Sequence, residues 1–253
     1  MNDSTISCLP QMMDIWEKTL EWKPSPQQQE LFQSLYKLII QGNRQLNLTR
    51  ITNPEDFWEK HLWDSLRGIK FLISQKIGEE SVDNQAITII DLGTGAGSPG
   101  IPAAMVVKNC TVNLVDSTKK KINFIDSILP QLQLNNVFAT TCRAEEIGRE
   151  NQHRETYDIA LIRAVASVSA CAEYTLPLLK QGGLAIIYRG NLTDEEITNT
   201  ENAVQQLGGV IESIEQFNTP ISNSDRHCLY LRKVGSTPAK FPRSVGVPAQ
   251  RPL

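Results

Sequence analysis

The sequence predicts an α/β protein: a doubly wound, mostly parallel sheet of seven strands ending in an antiparallel hairpin, preceded by helices. Three observations carry this expectation. In Ile87-Thr-Ile-Ile-Asp-Leu-Gly-Thr-Gly-Ala-Gly-Ser-Pro-Gly-Ile-Pro102, four β-favouring residues lead into an acid, into glycines at 93, 95, 97 and 100, and into the apolar run Ala103 to Val107. That order reads as a buried strand, a tight turn and a helix. Downstream, strand-like and helix-like stretches alternate, which implies crossover connections and a parallel sheet covered on both faces. The last two strand-like stretches have no helix between them and therefore pair antiparallel.

Taken in order, Ile15, Trp16, Leu20 and Trp22 form a first packing helix, and Leu31, Phe32, Leu35, Tyr36, Leu38 and Ile39 recur at helical spacing over 27–41 behind a Pro-Ser-Pro start. Asn47-Leu-Thr-Arg-Ile51 follows, and Pro54 opens a helix bearing Phe57, Trp58, His61, Leu62, Trp63 and Leu66, with Asp64-Ser65 on it. Residues 78–84 read as a polar connector. After the glycine turn, strands are expected at 111–115, 137–142, 157–162 and 183–188, and helices at 119–134, 168–180 and 193–207. Strands at 209–214 and 227–232 close the sheet. The organisation expected is a helical extension over 1–84 packed on a core domain over 85–234, with a basic tail over 235–253, effectively one domain.

The chain's 253 residues suffice for that domain and its core, and 40% hydrophobic with 21% charged residues is ordinary for a soluble globular protein. No apolar run approaches the roughly 18 residues of a membrane span. Met1 to Ser7 holds no basic region followed by an apolar stretch, so no signal peptide and a cytoplasmic location are expected. Cysteines 8, 110, 142, 171 and 228 form no Cys-x-x-Cys pair and share no zinc spacing with a histidine, so no metal is expected and most of the thiols read as small core residues. A net charge of −3 gives no global attraction to nucleic acid. From Arg226 to the end, however, Arg226, Arg232, Lys233, Lys240, Arg243 and Arg251 occur without an acid, either a solvated end or a footprint for a polyanion.

A ligand is expected on the glycine turn. The glycines Gly93, Gly95 and Gly97 leave the backbone open to close approach. A dinucleotide fits poorly: Asp91 at the strand end would repel a pyrophosphate but suits a sulfonium-bearing amino acid moiety, and Pro99 and Pro102 remove N–H groups from the helix start. Asp91-Leu-Gly93-Thr-Gly95-Ala-Gly97 resembles the first motif of class I S-adenosylmethionine-dependent methyltransferases, whose doubly wound sheet also ends in a hairpin. Residues just after each strand face the ligand in such sheets. Asp116, about twenty residues past the glycines, can accept both ribose hydroxyls. Arg143, Ala144 and Glu145 stand at the adenine edge, and Arg163 with Ala164 at the pocket mouth; the other reading of each is a cap or a surface residue. A lone His61 on an aromatic-rich helix reads first as structural. At the end of the fourth strand Ile162-Arg163-Ala164-Val165 replaces the Asn/Asp-Pro-Pro-aromatic turn that holds exocyclic amines, and no Pro-Cys nucleophile is present. A nucleophile that needs no base, such as a purine N7, fits this site, so no catalytic residue is firmly assigned; Arg163 and His61 are the candidates near the pocket.

Together the motifs resemble the bacterial small-subunit ribosomal RNA methyltransferase G family, also called glucose-inhibited division protein B. The resemblance runs from about Asn47 to the C-terminus through Asn47-Leu-Thr, His61-x-x-Asp64-Ser65, the Asp91 to Pro102 motif, Asp116-Ser-x-x-Lys-Lys, Arg143-Ala-Glu145, Tyr157-Asp158, Arg163-Ala164-x-Ala166 and Pro-Arg-x-x-Gly-x-Pro over 242–248. It implies methylation of N7 of guanine 527 in 16S rRNA, with cofactor contacts at Gly93, Ser98, Asp116, Ser117, Thr118, Ala144, Glu145 and Arg163. Ile162, Arg189 and Ser98 depart from what members often carry there. The partner implied is 16S rRNA, the small subunit or its assembly intermediate, met by a monomer. Lys119, Lys120, Arg189, Arg232, Lys240 and Arg243 are the candidate RNA contacts. A small-molecule methyltransferase and a non-catalytic RNA-binding or assembly protein are the alternatives.

Overall fold

In the computed structural model, which describes residues 6–74 and 86–253, seven strands form one sheet in the order β3-β2-β1-β4-β5-β7-β6. The strands are β1 Ile87–Leu92, β2 Cys110–Asp116, β3 Val137–Thr141, β4 Tyr157–Arg163, β5 Leu179–Arg189, β6 Gly209–Asn218 and β7 Asp225–Lys233. The first five run parallel, and β7 is antiparallel to both β5 and β6. The expected polar connector at 78–84 lies outside the described residues.

Helices precede and cover the sheet. They are α1 Met13–Leu20, α2 Pro26–Leu46, a helical run α3 over 54–67, α4 Lys70–Ile73, α5 Gly100–Val106, α6 Lys119–Ile128, α7 Ala144–Ile147, α8 Val168–Thr175, α9 Asp194–Gln206 and α10 Val247–Gln250. Local chemistry sets several starts. Ser25 Oγ accepts from Gln28 N while Gln28 Oε1 accepts from Ser25 N, with Pro26 in the first turn of α2. Asn53 Oδ1 accepts from the N–H groups of Glu55 and Asp56 at the start of α3. The middle of α3, Trp58–Trp63, is wound as a π-helix, a form that often accompanies functional sites.

Side-chain alternation splits the strands between two cores. Ile89, Leu114, Leu161 and Ile186 face a cluster that takes in Trp16, Leu35, Trp58, Leu66, Ile101 and Ile125. Ile90, Leu92, Ala160, Ile162 and Ile187 face the other, with Val168, Tyr174, Val204 and Phe241. Trp16 and Trp58 meet at 4.7 Å between ring centroids, and Trp63 Nε1 donates to Thr19 Oγ1.

Two expected boundaries are corrected. The helix expected over 168–180 stops at Thr175, a single 3-10 turn at Leu176–Leu178 follows, and β5 begins at Leu179. The helix expected to reach 134 ends at Ile128, with Pro130 just beyond, as proline's ring and missing N–H disfavour continuation. A third finding concerns the basic end. It is a strap folded back on the protein: Phe241 is buried, Arg149 Nε donates to Pro242 O, and Arg154 donates to the carbonyls of Thr237 and Phe241.

Candidate functional site

The carboxyl ends of β1 to β4 converge on a cleft of about 150 Å³ lined by Gly93, Asp116, Ser117, Arg143, Ala144, Glu145 and neighbours. A larger groove, about 580 Å³, lies among α1, α2 and Trp58. It receives no loop from the strand ends, so size does not pick the site here; the strand-end rule does.

The glycine turn is built from below. Asp91 is fully buried, and its Oδ2 accepts from Thr94 Oγ1 at 2.6 Å and from Gly100 N at 2.8 Å. A Cβ on Gly100 would lie 2.2 Å from Leu114 Cδ2 and 2.8 Å from Asp91 Oδ2, so only glycine lets the turn close on this carboxylate. Asp91 therefore braces the turn from behind and is not part of the cleft lining; desolvation raises its carboxyl to about 6 despite those two donors. Gly95 is the open position: φ is +63° and a Cβ there would meet nothing closer than Gly93 O at 3.9 Å. Gly97 packs against Ile101, and Ser98 is buried with Oγ unpartnered; of this turn Gly93 lines the cleft, while Gly95, Gly97 and Ser98 lie outside the lining.

Asp116 ends β2 with both oxygens engaged: Oδ2 accepts from Gly95 N at 3.0 Å and Oδ1 from Thr118 N at 2.8 Å, with Lys121 Nζ 3.6 Å from Oδ2. An ionised carboxylate has about four lone-pair sites, so capacity remains on each oxygen. Ser117 lines the cleft and Thr118 does not. After β3, Glu145 Oε1 accepts from Gly246 N at 2.8 Å and from Arg143 at 3.3 Å, while Oε2 is buried without a partner among the described residues. The donors hold this carboxyl below the usual range although burial opposes them. Val165 leans over Gly93, with Cγ2 only 2.5 Å from where a Cβ would sit.

Arg163 ends β4 and turns toward α3. It donates to Lys60 O at 2.8 Å, to Asp64 Oδ2 at 3.0 Å and to Ser65 Oγ at 3.4 Å, and its other nitrogen faces His61 Nδ1 at 3.4 Å. His61 Nε2 lies 2.9 Å from Thr49 Oγ1. An Nδ1 that accepts from a guanidinium leaves Nε2–H to donate to Thr49, the neutral tautomer. Desolvation, then the Arg163 charge, pushes His61 down to about 3. Its folded-state value lies below the ordinary 6.5, so below that pH the unfolded chain takes up a proton that the folded chain refuses, and stability falls. His61→Gln is expected to flatten the decline in melting temperature between pH 6.5 and the acid limit. An unchanged pH profile would remove His61 as its source.

Three candidate RNA contacts are tied to acids: Arg189 to Glu196, Arg232 to Glu212 and Arg243 to Glu173. Lys119, Lys120 and Lys240 are exposed. The cleft also takes in residues that sequence reading did not assign to it, among them Val165, Tyr174 and Ala249. Val165 comes two residues after β4 and the strand-end rule reaches it; Tyr174 and Ala249 come from distant chain segments and carry no local signal. Among the described residues, no group of three or more His, Cys, Asp or Glu could hold a metal, and no helix is long and apolar enough to cross a membrane.

A family model described as rRNA small subunit methyltransferase G matches residues 28–229. The ribosomal RNA small subunit methyltransferase G of Nostoc punctiforme is 65% identical over 245 residues, 97% of this chain and 98% of the relative. Its counterpart in Trichodesmium erythraeum is 57% identical, over 100% of this chain and 98% of the relative. Among solved structures, the antibiotic-resistance methyltransferase Kmr aligns with a TM-score of 0.51 at 15% identity, over 62% of this chain and 91% of its own, a likeness of fold.

Proposed function

The chain belongs to the rRNA small subunit methyltransferase G family, and from that premise we propose that it methylates N7 of guanine 527 in 16S rRNA. The fold is the class I S-adenosylmethionine-dependent methyltransferase fold, and S-adenosylmethionine is the cofactor; when bound, it supplies an electrophilic methyl group on a sulfonium. The residues at the strand ends fit that group. Gly95 leaves bare backbone, Asp116 has acceptor capacity left for ribose hydroxyls, and Glu145 offers a buried acceptor that lacks a donor. The observation that carries the reading is this convergence of Gly93, Asp116 and Glu145 on one cleft.

A guanine N7 has an in-plane lone pair and no proton, so the chain need supply no general base. Its part is to hold nucleophile and methyl in line, and to present charges that tolerate the cationic base formed. The neutral His61, held between Arg163 and Thr49, is suited to orienting neighbours rather than to accepting a proton. The Asp64 carboxylate lies between Arg163 and Arg226 on the α3 side, its charge matched by theirs. Exposed Lys119 and Lys120 beside Asp116, together with Lys240, are the cations best placed to meet phosphates. The substrate-bearing partner is 16S rRNA, free, in the small subunit or in an assembly intermediate, and the setting is cytoplasmic.

The test is transfer of labelled methyl from S-adenosylmethionine to 16S rRNA lacking the modification, presented free and in 30S subunits, followed by nucleoside analysis. Labelled 7-methylguanosine at a single position is the expected result. Cofactor binding without transfer to either RNA would turn the reading toward a small-molecule methyltransferase. Absence of cofactor binding would turn it toward a non-catalytic assembly protein.

A further inference from the structure

The C-terminal strap reaches the cleft. It leaves β7 at Lys233, whose buried amine donates to Leu176 O and Thr237 Oγ1, while Thr237 Oγ1 donates to Leu207 O. Arg154 and Arg149 then hold the carbonyls of Thr237, Phe241 and Pro242. Next comes a clasp. Arg243 donates to both oxygens of Glu173, with its Nε 3.0 Å from each and its NH2 2.6 Å from Oε2, and Arg243 N donates to Oε1 at 2.6 Å. Glu173 is fully buried and Arg243 half-buried, and the pair is a fork-to-fork contact, a geometry that adds specificity to the charge. Three residues on, Gly246 takes φ +83° and directs its N–H to Glu145 Oε1, and the short α10 sets Ala249 on the cleft wall beside Glu145 and Tyr174.

One oxygen of Glu145 is thus claimed by the strap and by Arg143, with the Tyr174 hydroxyl at 3.5 Å, while the other is left buried without a partner. A buried carboxylate oxygen without a donor costs free energy until one arrives. The strap decides which oxygen that is. We infer that residues 243–249 form a wall of the cofactor cleft and position Glu145, so that its free oxygen receives the exocyclic amino group of the adenine base. Gly246 and Arg243 are positioning residues in this scheme, acting through Glu145, and Ala249 is a contact residue at the rim. The inference rests on the cofactor reading of the cleft. It also gives the basic end of the chain a task other than meeting RNA, since Arg243 is spent on Glu173.

The test measures binding of S-adenosylhomocysteine and of S-inosylhomocysteine, in which a carbonyl replaces the amino group, by calorimetry on three proteins. These are the full chain, a chain ending at Ser244 that keeps the Arg243–Glu173 clasp, and full-length Ala249→Trp. The full chain is expected to prefer the adenine ligand about tenfold. The shortened chain is expected to bind it about tenfold more weakly and to lose most of the preference. Ala249→Trp, with every strap hydrogen bond intact, is expected to weaken binding of both ligands, and it decides the wall role if the shortened chain fails to fold. Unchanged affinity in both variants overturns the wall, and weaker binding with the preference retained in the shortened chain overturns the positioning of Glu145. Failure of the full chain to bind S-adenosylhomocysteine overturns the cofactor reading itself, a distinct result.

Discussion

Asp116→Ala is expected to weaken S-adenosylmethionine binding about 100-fold, measured by calorimetry near neutral pH, with the sheet intact by circular dichroism. The side chain ends β2, is almost fully buried, and serves two partners of the protein at once, Gly95 N and Thr118 N. Its loss releases the glycine turn from β2 and removes the acceptor for two ribose hydroxyls. Hydrogen bonds to a charged group contribute roughly 1.5–3 kcal/mol each. Losing two, at about 1.4 kcal/mol per factor of ten, gives at least two orders of magnitude. Asp116→Asn keeps the shape and one acceptor but turns a donor toward either Gly95 N or Thr118 N, so an intermediate loss of about tenfold is expected. Unchanged affinity in the alanine variant would remove the ribose assignment.

The part of the fold that the sequence made legible is the part fixed by local periodicity. Ile87 to Ile90, Thr111 to Val115 and Tyr157 to Ile162 declare strands because alternate residues had to enter different cores, as Ile89 and Ile90 do. Asp116 and Glu145 were readable because parallel strands bring their carboxyl ends to one side whatever the side chains are. The start of β5 was not, since Gly182-Gly183 looks like a turn before the strand while pairing of Leu179 with Tyr157 extends it upstream. Asp91 was placed at the strand end correctly, but its role depends on the close approach of Gly100 and Leu114, a tertiary fact. The strap was unreadable for a like reason: a tail rich in Arg and Pro has the composition of a solvated segment, and its anchors, such as the buried Glu173 and the pinned Glu145, lie about 70 and 101 positions away.

Arg163→Ala is expected to abolish methyl transfer and lower the melting temperature by about 10 °C. The guanidinium joins the end of β4 to α3 through Lys60 O, Asp64 and Ser65, with side chains 16% and 8% exposed in the Arg163–Asp64 pair. Removing one partner of such a pair leaves a buried charge and costs about 3–5 kcal/mol. At about 2–4 °C per kcal/mol for a chain of this size, that is of the order stated. Arg226 Nε, 3.8 Å from the other Asp64 oxygen, is too distant to compensate in full. Stability and activity should then separate. Asp64→Asn combined with Arg163→Ala removes the orphaned charge and is expected to recover several degrees, yet methyl transfer should stay lost, because the end of β4 is no longer tied to Lys60 O, His61 and Ser65 of α3. Arg163→Lys keeps the charge but cannot span Lys60 O, Asp64 and His61 with one ammonium, and is expected to retain most of the stability and little of the activity. If the double variant is no more stable than Arg163→Ala, the buried charge is not what the pair relieves. If Arg163→Ala still transfers methyl at the normal rate, the residue is an anchor for α3 and nothing more.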